Sequence, residues 1–501
     1  MRMVTLWARW FGERVHPVRL VIESGVTLWA LWPLALLVSV FVDRLLYPID
    51  LEWCEGGSLY QAFRLLHGQS IYTQDDPSWA PFPYPPAHTL MLALVGLVRL
   101  DFWTGRLVSI AFFALLCVTL FLHVYKHLDR SSFGVAAGAL SVATIVCGFP
   151  VVGQFYDLVR VDTMMLALSA YGVARISDAD GRPKQLWLTA AVLCAAVFTK
   201  QTAVFFVGWA GLFALIHRPR YGVRLALVSG ALGLLLLGLA QWTTSGGLWF
   251  WTVSGVENHP IEDPRVMQGL RAVWHYMPFA AGIPLLLLAS TARGVTTPKT
   301  VLWVGCFVVA LPASLMPYAK AGGYDNNLMP FVVFAGPATV FLVADIAKRP
   351  GWVGPAARWL LLAGLALFIA KRPLVPRTYL PDAQKVRAAS ELNALVASLP
   401  GGVVCPYLAF LPGHNGHSNR HWHSMVVWDA VWRNQPMSEI RALENSGAHW
   451  VLLHSKDGGE FAEYARHHST LERRLPDSAR VRMVTGAAVE IDEVWKRNLP
   501  E

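Results

Sequence analysis

Charge is what this sequence has least of. Only 15% of its 501 residues are Asp, Glu, Lys or Arg, against 54% hydrophobic residues and 21 tryptophans. With a mean hydropathy of +0.42, that balance excludes an ordinary soluble protein of this length and predicts a chain that crosses a bilayer repeatedly. Cysteine spacing motifs are lacking as well. Six cysteines include no C-x-x-C or C-x-x-x-C pair, and Cys117, Cys147, Cys194 and Cys306 lie inside apolar runs, where a thiol behaves as a small hydrophobe. Cys54 and Cys405 alone could meet an oxidising face, and little in the sequence pairs them. Arg2, Arg9, Arg14 and Arg19 precede an apolar core with no small-residue cleavage site close behind it, so residues 20–42 are read as a retained first span, not a signal peptide. There is no repeat and no low-complexity tract.

The net charge of +9 would suit nucleic acid, but the basic residues sit in short clusters between apolar runs, not along one face. Nucleic acid is therefore not an expected partner. Apolar runs recur at 20–42, 103–126, 132–150, 162–176, 186–199, 202–217, 223–243, 272–290, 300–318, 328–346 and 356–370, which predicts about eleven transmembrane helices, some of them short. With the N-terminus placed in the cytoplasm, the inner loops read YKHLDR, DGRPK, HRPRYGVR, ARGVTTPK and AKRPGW. The opposite loops carry Asp50, Glu52, Glu55, Asp75, Asp76, Asp157, Glu257, Glu262, Asp263 and Asp325. That alternation satisfies the positive-inside rule and puts the acids outside.

Two external segments are long. In the first, residues 43–101, GGSLYQAFRLLHGQ sets Leu59, Phe63 and Leu66 at helical spacing with Gly68 as a stop, which predicts an amphipathic helix in the membrane interface. APFPYPPAHTLMLALVGLVRL follows, its prolines forcing an extended entry before an apolar tail that re-enters the membrane edge. The second, residues 245–271, holds the tryptophan-rich LWFWTVSGVENHPIEDPR. From about residue 376 charges and histidines rise. Helical patterns at 382–398 and 438–446 alternate with the short strands GVVCP and HWVLLH, predicting a small external α/β domain over 376–501 behind a membrane domain over 1–375.

Four clusters carry candidate chemistry. Asp50, Glu52 and Glu55 stand beside Trp53, Gly56 and Gly57; solvated loop acids are the plain alternative, but carboxylates in a partly apolar cleft gain basicity and deprotonate hydroxyls, and one could help hold a divalent cation. In QFYDLVRVDT, Asp157, Arg160 and Asp162 could be interfacial anchors, yet Arg160 and Asp162 enter the next apolar run, where charge marks function. Lys200 and Gln201 interrupt another apolar stretch; a snorkelling lysine is the alternative to an anion ligand, phosphate foremost. In YAKAGGYDNNLMP, Lys320 stands beside glycines that would let amides approach an anion, ahead of Asp325, Asn326 and Asn327. The tail histidines His414, His417, His421 and His423 fit no zinc spacing and are read as a polar surface loop.

Carboxylates, lysines and an arginine on one membrane face suit a phosphate and a polyol together. In this arrangement the chain resembles the GT-C superfamily of integral-membrane glycosyltransferases, near the protein O-mannosyltransferase and aminoarabinose transferase branch called glycosyltransferase family 39. The resemblance spans about residues 20–370 and is carried by DLEWCEGG, the A-x-R-L-L-x-G-x-x-x-Y run from Ala62 to Tyr72, YPPAH, Arg160-x-Asp162, TKQT and GGYDNNLMP.

The resemblance implies a GT-C-like fold in the inner membrane and transfer of a sugar from a polyprenyl-phosphate donor to a lipid or glycan hydroxyl, on the external face and with inversion. Relatives carry an Asp-Glu pair before the amphipathic helix, its first acid the base. Here Cys54 and Glu55 occupy those positions, so the base is sought among Glu55, Glu52 and Asp50. Arg160, Asp162, Lys200, Gln201, Lys320, Tyr84 and Asn326 are the expected donor-binding groups. No cofactor is implied beyond a divalent cation that some relatives use. A transporter or flippase of lipid-linked sugars would also bury charge, though it gives no reason for long loops and polar groups to gather on one face. A scaffold protein gives none for lysines on the acidic side.

Overall fold

The computed structural model describes residues 17–73, 79–179, 182–254, 260–292, 294–425, 427, 438–487 and 489–499. Arg2, Arg9, Arg14, Asp75, Asp76 and Glu257 lie outside them. Each of the predicted apolar runs falls on helix. Helix α1 is Pro17–Leu45; residues 43–101, the segment expected to be external, hold α2, Glu55–Leu66, and α3, Ala87–Gly96. Then come α4 (Phe102–His127), α5 (Ser132–Cys147), α6 (Val161–Ser177), α7 (Pro183–Val197), α8 (Ala203–His217) and α9 (Pro219–Thr243). Helices α10 (Asp263–Tyr276), α11 (Ile283–Ala292), α12 (Pro298–Ala319), α13 (Met329–Ala347) and α14 (Val353–Ala370) complete the body.

Local chemistry sets many of these boundaries. Asp101 and Thr104 form a reciprocal capping box at the start of α4, Ser131 caps α5, and prolines occupy the first turns of α7, α9 and α12. By length and composition, six helices among the described residues suffice to cross a membrane, or up to seven if a bent pair counts as one. That pair is α10 with the segment leading into α11. The sequence reads 272–290 as one run, but it breaks by 99° at Pro278, which cannot donate to the helical ladder. Helices α5, α7 and α8 are only 15 or 16 residues long, shorter than a straight span prefers. Helix α13 packs against α5, α12 and α14 and is buried along most of its length.

The C-terminal unit pairs α15 (Ala383–Ser398) with a four-stranded sheet of order β1-β2-β6-β3. Strands β1 (Gly402–Val404) and β2 (Ala448–Leu453) run parallel; β6 (Glu493–Arg497) is antiparallel to β2 and to β3 (Ser469–Arg474). Val481–Arg482 and Glu490–Ile491 form a separate two-stranded sheet. This unit seats on the first external segment. The amides of Val484 and Thr485 donate to the Leu51 carbonyl at 2.9 and 3.1 Å, and Thr485 Oγ1 donates to the Gly153 carbonyl at 2.8 Å. Phe410 joins a buried cluster with Leu59, Tyr60 and Phe102. Helix α2 ends where the sequence places it, with Gly68 at φ +68°. It differs in being covered: residues 55–62 are all buried, because the tail lies over the face an interfacial helix would give to lipid.

Candidate functional site

The acidic stretch is the N-terminal collar of α2. Asp50 and Glu52 take backbone N–H groups at the helix start, in the positive field of the helix dipole, while Glu55 reaches back to the turn before it. Asp50 Oδ1 accepts from Gly56 N at 2.5 Å, Glu52 Oε2 from Cys54 N at 3.2 Å and Glu55 Oε2 from Leu51 N at 2.7 Å. Gly56 has no room for a side chain, since a Cβ there would stand 2.8 Å from Asp50 Oδ1.

The three acids then diverge. Glu55 is fully buried and faces Arg106 of α4, whose Nε and Nη2 donate to its two oxygens at 3.1 and 2.8 Å; Val159 N adds a further donor at 3.0 Å. Burial alone would raise its pKa, but Arg106 and the backbone donors hold it below the usual carboxylate range. Of the three acids among which the base is sought, Glu55 thus accepts four hydrogen bonds, two from Arg106 and one each from the Leu51 and Val159 amides. Asp50 is also fully buried, with Oδ2 unpartnered, and burial and the neighbouring Glu55 push it well above the usual range.

Glu52 is the one of the three that stands beside Arg160: besides accepting from the Cys54 amide, its Oε2 lies 3.6 Å from Arg160 Nη1. Burial raises its pKa, with Arg160 opposing. The tail closes over it at Gly486, φ +84°, where a Cβ would come within 2.6 Å of Glu52 Cγ. The carboxylate therefore sits under backbone and not in open solvent.

Arg160 caps the start of α6, its guanidinium over the rings of Phe82 and Phe155 at 5.7 and 5.8 Å. Nη2 reaches Tyr84 Oη at 3.5 Å, while Nε and Nη1 are buried and make no hydrogen bond among the described residues. One turn inside, Asp162 accepts from Lys200 Nζ at 2.6 Å and from Asn326 Nδ2 at 3.0 Å; Lys200 also donates to Asn327 Oδ1 at 3.1 Å and lies 5.8 Å from the Tyr84 ring. Gln201 Nε2 donates to the Pro83 and Thr252 carbonyls at 2.6 and 2.9 Å, fastening both long external segments to the Lys200 turn. Segments far apart in sequence thus deliver Glu52, Tyr84, Arg160, Asp162, Lys200, Gln201 and Asn326 to one place.

Lys320 is not among the groups these contacts gather. Its backbone bridges to Ile261, and the amide of Gly323 donates to its carbonyl, so the double glycine closes a turn where the sequence suggests an anion nest. Asp157 separates from Arg160 and pairs with Arg44 at 3.1 Å, both buried. Arg44 and Arg106, overlooked in the sequence, share one signal that could have marked them: each is a lone arginine at the end of an apolar helix.

The reading of the tail histidines as a polar surface loop holds for His414, which is exposed, and fails for His417, His421 and His423, which are buried. His423 Nε2 meets the Trp53 carbonyl at 2.7 Å and His421 N donates to Tyr60 Oη at 3.0 Å, so these two hold the C-terminal unit against α2 and the turn before it, while His417 meets the Gly401 and Val396 carbonyls within the tail. Burial lowers the pKa of His421 and His423 to about 4. Among the described residues no cluster of three His, Cys, Asp or Glu side chains is arranged to hold a metal ion, and Cys54 and Cys405 are both free and buried.

No family model matches this sequence, and no curated protein matches it. Solved structures do. The crystal structure of ArnT from Cupriavidus metallidurans bound to undecaprenyl phosphate superposes with a TM-score of 0.57, covering 93% of this chain and 98% of that one at 13% identity. The same protein in the apo state gives 0.56, 94%, 98% and 15%. The chain therefore shares the helical fold of ArnT over nearly its whole length.

Proposed function

We propose that this chain is a glycosyltransferase that moves a sugar from a polyprenyl phosphate to a hydroxyl of a lipid or glycan acceptor, with inversion, at the external face of the inner membrane. One observation carries the reading. The buried Arg160 guanidinium has two nitrogens without hydrogen bonds among the described residues and stands 3.6 Å from the Glu52 carboxylate. A buried cation so placed suits an anion, and a carboxylate raised by burial beside it suits a base. The fold's likeness to a protein crystallised with undecaprenyl phosphate supports the same donor class.

In this reading Glu52 takes the proton of the acceptor hydroxyl. Its oxygen bonds to the anomeric carbon from the face opposite the phosphate, and the bond from that carbon to the phosphate oxygen breaks, the electron pair leaving with the polyprenyl phosphate. Arg160 and Lys200 face the charge that grows on the departing oxygens. Asp162 and Asn327 hold the Lys200 ammonium in place, and Tyr84 flanks both cations. The segregation of basic loops from the site's acids supports a cytoplasmic N-terminus and a periplasmic C-terminal unit. The test is transfer from labelled undecaprenyl-phosphate sugar by purified wild type and Glu52→Gln. Loss of transfer with donor binding retained supports the assignment; full activity of Glu52→Gln removes Glu52 as base. Sugar accumulation in sealed vesicles without a glycosylated product would favour transport instead.

A further inference from the structure

His88 belongs to none of the roles above. It is the second residue of α3, just after Pro85 and Pro86, and is only 2% exposed. The first turn of α3 is tied down on every side. Ala87 N donates to the Phe198 carbonyl at 2.8 Å, Gln201 holds Pro83, and Thr89 Oγ1 donates to Gln61 Oε1 at 3.3 Å. Those bonds fix His88 beside the Lys200 turn, where its charged neighbours are Arg160 and Asp162. Yet its Nε2 has no hydrogen-bond partner among the described residues. A buried ring nitrogen without a partner is costly, and in a rigid surround it calls for a group supplied from outside.

We propose that His88 Nε2 is a contact to the transferred sugar, hydrogen-bonding one of its hydroxyls and so helping to set which sugar the protein accepts. This inference rests on the donor reading above. Burial and Arg160 lower the imidazole pKa to about 4, which leaves it neutral at working pH. A neutral nitrogen adds little to phosphate binding where Arg160 and Lys200 already supply positive charge. It suits a hydroxyl, which both donates and accepts.

The experiment compares two lipids on the full-length protein in detergent: undecaprenyl phosphate, and the same lipid carrying mannose or aminoarabinose, whichever the wild type binds. His88→Leu should weaken the sugar-bearing lipid by about tenfold, the scale of one hydrogen bond, and leave undecaprenyl phosphate within about twofold. His88→Asn should recover part of the difference, and it carries the comparison if His88→Leu does not fold. Equal losses for both lipids, or none for either, overturn the inference while leaving the donor reading standing. A wild type that binds neither lipid removes the donor reading, and this inference with it.

Discussion

Arg106 donates to both oxygens of Glu55 and, through Nη1 and Nη2, to the backbone carbonyls of Arg44, Tyr47 and Ile49 at 3.1, 2.7 and 2.6 Å. One arginine on a membrane helix thus holds the whole turn that leads into the acidic stretch. Removing either partner leaves a buried charge uncompensated. Arg106→Ala should cost about 3–5 kcal/mol, read as a lowered thermal midpoint in detergent, and Glu55→Gln, which leaves the Arg106 guanidinium buried without its counter-charge, should lower the midpoint on the same scale. If Glu55→Gln abolishes transfer without lowering the midpoint, Glu55 is a base after all.

The Glu52 carboxyl is raised by burial, which gives transfer a defined acid limb. A base works only when ionised, so the rate should fall as pH drops through a value above the ordinary carboxylate range. Glu52→Gln should lose about 10²–10⁴-fold in kcat and flatten that limb. A pH–rate profile of wild type and variant checks both.

Arg160 offers a planar fork that a lysine does not reproduce. Arg160→Lys and Lys200→Gln should each weaken undecaprenyl phosphate binding by about tenfold or more, on the scale of a charge-assisted hydrogen bond. Titration of the lipid against the wild type and the two variants checks this.

The buried histidines make the union of tail and α2 sensitive to acid. His421 and His423 have folded pKa values near 4, below the ordinary 6.5, so the unfolded chain binds more protons between those values. Their stabilising contribution is full above about pH 6.5 and lost as pH falls toward 4, up to about 3 kcal/mol for each. Thermal unfolding at pH 7.5 and 5.0 should show the drop, and His423→Phe should reduce its pH dependence. An unchanged slope in that variant would falsify the assignment.

Much of the site was legible where sequence alone puts expensive groups in apolar surroundings. Arg160, Asp162, Lys200 and Gln201 stand out as polar residues inside or beside hydrophobic runs, and the structure brings all four together. Beside Lys320 the sequence does not foresee the turn that the Gly323 amide closes onto the Lys320 carbonyl, because a lysine beside two glycines looks alike whether the turn binds an anion or closes on itself. His88 lies in the YPPAH run but is given no role by sequence reasoning, because a lone histidine at the start of an apolar segment does not show what faces its ring.

What the sequence by itself determined is the placement of helices and the sorting of charge between the two faces. Both follow from local cost: a backbone in lipid must be helical, and ionised groups there need partners. What only the tertiary structure decided is which partners each carboxylate meets. That depends on Arg106, 51 residues beyond Glu55, and on a tail hundreds of residues away that covers Glu52 and buries His423. No local pattern encodes those meetings, because they depend on how the helices pack and on where the C-terminal unit comes to rest.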